Sequence, residues 1–140
     1  MTLPEPRLQQ RQDLLEHLRT QSQACTEAAR RETREGNDYV ASLLQTTSDV
    51  TEELIGYLGA TAFAEALGGF HEDDSSRRAA SADLNTYLRQ AGLNISDRAE
   101  FTLFDNNWCV QAVVTAYTNG TATSIGGHYN SDTGFGTGAC

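Results

Sequence analysis

Up to about Gln90 the apolar residues of this chain recur at three- and four-residue steps, and beyond it they alternate; that change of period restricts the fold to helices first and strands last. Over 8–35, Leu8, Leu15, Leu18, Cys25 and Ala29 make one thin helical stripe that Gly36 stops. Arg11 and Ser22 interrupt the stripe, so loose packing is expected in preference to a coiled coil. Over 38–59, Tyr39, Val40, Leu43, Leu44, Val50, Leu54, Ile55 and Leu58 predict two helices with a break at 46–48 and an N-cap at Asp49. A short helix over 60–67 is expected to stop at Gly68-Gly69, a charged loop to fill 71–80, and Ser81 to cap a further helix through Gln90.

Phe101 to Phe104 predict a first strand, Asp105-Asn106-Asn107 a turn, and the β-branched run 108–117 a second strand. Asn119-Gly120 is a strong two-residue hairpin signal, because both residues accept positive φ, and 121–125 can return as a third strand. Beyond Gly126 the density of glycine predicts irregular structure. The expected fold class is α+β: a helical N-terminal two-thirds, a small antiparallel β-meander and a Gly-rich C-terminal tail, within one domain at most.

Composition divides the chain further on, between 106 and 107. The stretch 107–140 holds one carboxylate, Asp132, and no Arg, yet carries six of the twelve glycines, eight Ser/Thr and two of the three cysteines. Residues 1–106 hold 18 acids against 10 arginines, a formal balance of −8. This suggests a helical leader or carrier region over 1–106, ending in a strand, and an uncharged, core-like segment over 107–140. A sequence pI of about 4.6 disfavours nucleic acid as a partner, since phosphate contacts need clustered cations. Arg30, Arg31 and Arg34, the densest group, are offset by Glu27, Glu32 and Glu35.

No basic-then-apolar start and no long apolar run are present, so the chain is expected to be cytoplasmic as made, without stable membrane insertion, and any exported product to need a dedicated transporter. Three cysteines without a CxxC pair argue against a disulfide framework or a structural zinc site. His71, Glu72, Asp73 and Asp74 are consecutive and do not converge on a metal, there is no GxSxG elbow, and no histidine can be assigned to a cysteine. The expectation is a protein that is not an enzyme and needs no cofactor or metal.

The ending Thr137-Gly138-Ala139-Cys140 sets a hydroxyl three residues ahead of a terminal thiol, with small residues between that permit a tight ring. Thiolates add to electrophiles, and a dehydrated Thr is one. At these residues the chain resembles the precursor of a ribosomally synthesised, post-translationally modified peptide of the lanthipeptide kind, with an acidic helical leader and a core rich in Ser, Thr, Gly and Cys. The resemblance implies that Thr137 supplies the dehydrated partner and Cys140 the sulfur of an aminovinyl-cysteine ring. It also implies a second thioether from Cys109 to Thr115 or Thr118, and partners that are modifying enzymes and a leader protease or transporter. Leu88-Arg89-Gln90-Ala91-Gly92-Leu93-Asn94-Ile95, followed by the strand at Phe101, is similar to nitrile-hydratase-like leader peptides.

Read without the resemblance, Cys109 is a small apolar strand residue beside Trp108. The strands over 108–125 also lack the Lys, Glu or Pro that normally guard a sheet edge. The alternative is therefore a non-enzymatic structural or interaction protein, for example a phage or particle component, that forms a homo-oligomer or binds a partner through its helices and an exposed β-edge.

Overall fold

The computed structural model describes residues 2–105 and 107–140. Helix α1 (Glu5–Arg34) has a proline in its first turn, where a missing N–H costs nothing because no intrahelical acceptor awaits it. It turns back at 35–37 into α2 (Asp38–Leu58), and the two lie antiparallel along each other. Ser22 does not loosen this seam: its hydroxyl lies 2.9 Å from Ser48 Oγ, which in turn lies 2.8 Å from Thr26 Oγ1. Arg11 is a genuine interruption, with Nε and Nη1 buried and no hydrogen-bond partner among the described residues. Such desolvation costs about 1–3 kcal/mol.

The expected break at 46–48 does not occur. Thr47 donates its hydroxyl to the Leu43 carbonyl at 2.9 Å, while Thr46 and Ser48 find partners in Thr118 of the sheet and Ser22 of α1, so the polar residues that read as breakers are satisfied without interrupting the helix. Asp49 accepts from Gln45 Nε2 at 3.0 Å instead of capping. Likewise α3 (Thr61–Glu72) passes through Gly68-Gly69, because continuing one more turn buries Phe70 completely beside Phe63, Ala64 and Leu67. That burial outweighs roughly 1 kcal/mol of propensity per glycine. The expected charged loop is largely helical too. Asp73 accepts from the Ser75 N–H at 2.9 Å and starts α4 (Asp74–Ser81); Asp83, not Ser81, accepts from the Thr86 N–H at 3.1 Å and caps α5 (Leu84–Gln90).

The connection from α5 to the sheet is tied to α2 through Glu53. Its carboxylate accepts from Tyr57 Oη and Ser96 Oγ, both at 2.6 Å, and from Arg98 Nε at 3.1 Å. Burial pulls the Glu53 carboxyl upward, but the bonds from Ser96, Tyr57 and Arg98, with the Arg98 charge, leave it below the ordinary glutamate range. A depressed acid stabilises the fold above its unfolded pKa of about 4.3, and that contribution is lost as pH falls through the folded value. Glu53→Gln should therefore cost about 1 kcal/mol at pH 7 in urea unfolding, and the gap to the wild type should close in acid below that range. A gap independent of pH would contradict this account.

Four antiparallel strands follow in the order β1 (Ala99–Phe104), β2 (Cys109–Thr118), β3 (Thr121–Asn130) and β4 (Gly134–Thr137). The α+β expectation holds: the described residues form five helices ahead of the sheet, and among them the meander has four strands where three were expected. The turn expected over Asp105-Asn106-Asn107 includes Asn106, which lies outside the described residues. Asn119 and Gly120, at φ 49° and 83°, close the β2–β3 hairpin as expected. The glycines beyond 126 do not make the tail irregular, because neighbours require them. At Gly127 a Cβ would stand 3.0 Å from Leu58 Cδ1, where α2 crosses the sheet. At Gly134, φ is 89° and a side chain would run into Gln10 and Arg7, which reach from α1 to the Thr133 and Asp132 carbonyls at 3.1 and 2.8 Å.

One face of the sheet, carrying Phe101, Leu103, Val110, Ala112, Val114 and Tyr129, packs on Leu54, Leu58, Phe63 and Leu67. The compositional boundary at 106/107 thus falls in the β1–β2 turn, and residues from both sides build one core. At one end of the sheet Trp108 meets Phe70, His71 and Tyr129, with ring centroids 5.8, 4.8 and 5.8 Å away. The Arg77 guanidinium stands 5.7 Å from the Trp108 ring. Burial, reinforced by the Arg7 and Arg77 charges, holds the His71 imidazole below its ordinary pKa; burial pushes the Tyr129 phenol up against an opposing pull from Arg7. Among the described residues no helix is long and apolar enough to cross a membrane.

Candidate interaction surface

The residues singled out for ring chemistry are distributed by the sheet. Cys109 and Cys140 are joined in a disulfide with Cα atoms 6.2 Å apart, contrary to the expectation drawn from the missing CxxC. The pairing comes from topology and not from spacing. Past Thr137 the chain still pairs with β3, Gly138 N donating to Gly126 O at 2.8 Å, and then crosses the outer face of β3 to reach β2. Cys140 N donates to Gln111 Oε1 at 3.1 Å, and His128 Nδ1 lies 3.2 Å from Gly138 O. Gly136 lies under the His128 ring, where a Cβ would be 2.8 Å from Cε1.

With both sulfurs in one bond, the folded chain presents no free thiol at either position. Cys25 on α1 is the free cysteine. Thr137 is exposed on β4, opposite Gly127. Thr115 and Thr118 share strand β2 with Cys109, six and nine residues along it, hence about 20 and 30 Å away at the rise of an extended strand. Their hydroxyls are engaged elsewhere: Thr115 with Ser124 at 2.8 Å and Thr118 with Thr46 of α2 at 2.6 Å. The structure therefore brings Cys109 to Cys140 and to neither threonine.

The two edges of the sheet differ. The β1 edge is met by α5: Asn85 Nδ2 donates to the Ala99 carbonyl at 2.9 Å, and Asn85 Oδ1 accepts from the Phe101 N–H at 2.7 Å, imitating a neighbouring strand. On the other side β4 covers β3 over 127–130 and the Gly138 bond reaches Gly126, which leaves 121–125 without an outer strand among the described residues. Because the Gly126 carbonyl points to that side, strand alternation turns the backbone N–H and C=O of Ser124 and Ala122 the same way. No charged residue lies in this half. Beside it Tyr117 is 72 % exposed, and Tyr39, 47 % exposed, bonds Thr121 Oγ1 through its hydroxyl at 2.6 Å.

The missing guards over 108–125 were legible in the sequence. Which half stays open was not, since that depends on where β4 ends. No family model, curated protein or solved structure matches the chain.

Proposed function

We propose that this protein is a non-enzymatic interaction module that pairs with a second copy of itself, strand to strand, through the open half of β3. The observation that carries the reading is the unguarded, uncharged edge at 121–125, set against a β1 edge that Asn85 occupies. Two such edges meeting antiparallel about a two-fold axis extend the sheet and satisfy the outward amides of Ala122 and Ser124 on both copies. Each copy carries a formal charge of −9, so repulsion acts between the bodies while the contact strand itself is neutral. Association should therefore strengthen as salt screens the repulsion.

Sedimentation of the full chain over a range of concentration and salt tests this. A monomer–dimer equilibrium that tightens with salt is expected. Ser124→Pro, which removes an outward N–H and leaves the β2 ladder intact, should weaken it at least about tenfold without lowering Tm by more than a few degrees. A chain that stays monomeric throughout, or a variant that dimerises as well as the wild type, would overturn the proposal. The precursor reading makes a different forecast for the native product: loss of one water per modified Ser or Thr and a shortened chain, where the module remains intact and lacks only the two hydrogens of its disulfide.

A further inference from the structure

Beside the start of α1 lies a cleft of about 450 Å³, remote from the β3 edge, into which polar groups from three elements converge. Leu3, Pro4 and Gly68 line it on the apolar side, and Arg7, His71, Tyr129 and Ser131 line the rest. Arg7 donates to the Asp132 carbonyl and to Gln10 Oε1 and also engages the Tyr129 hydroxyl, yet it forms no ion pair among the described residues, which leaves its charge without a carboxylate partner there. Tyr129, with no exposed surface, forms the inner end of the cleft as a positioning residue: its hydroxyl lies 2.8 Å from His71 Nε2. An unpaired guanidinium on an acidic protein, at the mouth of an apolar-walled cavity within the usual size range for small ligands, is an arrangement for an anion with an apolar body.

We infer that this cleft binds a small aliphatic carboxylate, its carboxylate on the Arg7 fork and the Ser131 hydroxyl and its chain against Leu3 and Pro4. A single guanidinium matches a planar monoanion in a bidentate way, whereas a phosphate dianion would call for a second cation. His71 gives the site its own reporter, because its ring is 4.8 Å from the chain's one tryptophan.

Titration of the full chain with sodium hexanoate, followed by Trp108 fluorescence at constant ionic strength, should give a saturable change. Hexanol, which lacks the charge, and inorganic phosphate, which lacks the apolar body, should each give a response at least tenfold weaker. Arg7→Gln should weaken hexanoate binding at least tenfold. Since Arg7 also holds the β3–β4 turn, Ser131→Leu, which crowds the cleft and leaves Arg7 in place, serves as the second variant and should show the same loss. No saturable response to hexanoate, an equal response to hexanol, or unchanged binding in Ser131→Leu would overturn the inference. None of these outcomes depends on whether the protein dimerises.

Discussion

Cys140→Ser is expected to lower the stability of the oxidised protein by about 3–4 kcal/mol, the loop-closure entropy returned to an unfolded chain when a link spanning 31 residues is removed. Urea unfolding with and without reductant isolates the effect. In reductant the wild type should fall to the level of the variant, and the variant itself should not respond. Alkylation offers an independent count, with one thiol, Cys25, reactive in the unfolded oxidised chain and three after reduction. Native structure should persist in the variant, because the crossing segment adds one ladder bond, a bond to the His128 ring and one from the residue 140 N–H to Gln111, on a sheet whose core lies on its other face. If oxidised wild type and variant unfold alike, and neither cysteine alkylates before or after reduction, the sulfurs are in thioethers, which supports the precursor reading.

What the sequence made legible followed the range of the forces involved. Asn119-Gly120 announced its hairpin because positive φ is a local demand, and the change of apolar period set the order of helices and strands. Residues whose role is settled by distant neighbours were misread. Ser48 resembled a breaker until Ser22 and Thr26 supplied its partners, and Gly68-Gly69 resembled a stop until Phe70 found its place against Trp108. Asp73 and Asp83 are readable caps, hidden because 71–80 reads as a charged loop and Ser81 stands two residues ahead of Asp83 as a rival cap. The late glycines predict irregular structure by their density, although they answer to Leu58, Arg7 and the His128 ring, none of which spacing can reveal. The disulfide was hidden for the same reason, since it needs β4 and the crossing tail in place before Cys140 can find Cys109. For the candidate surface, the absence of guarding residues could be read directly. Its extent could not.

Trp108→Ala is expected to have the largest effect, about 3–5 kcal/mol, by removing the ring that joins helix to sheet. Trp108 is 8 % exposed; it packs on Phe70 and His71 of α3, on Tyr129 of β3, and beneath the Arg77 guanidinium of α4, so truncation leaves a cavity bounded by three elements that cannot collapse together. The consequence is distinctive because Trp108 belongs to the uncharged C-terminal stretch while Phe70, His71 and Arg77 belong to the acidic helical one. If the two form one cooperative unit, helical circular dichroism and the β2–β3 amide signals should be lost together at a lower urea concentration, with the m-value unchanged. A C-terminal stretch carried only as an appendage would behave otherwise: the helical transition would stay where the wild type has it and only the sheet would melt early. With total stabilities of small domains at about 5–15 kcal/mol, a loss of this size brings the chain close to its unfolding threshold at 37 °C, so soluble yield should fall along with the midpoint. An unchanged midpoint would mean that the helices do not need the sheet, and the single core described above would have to be divided in two.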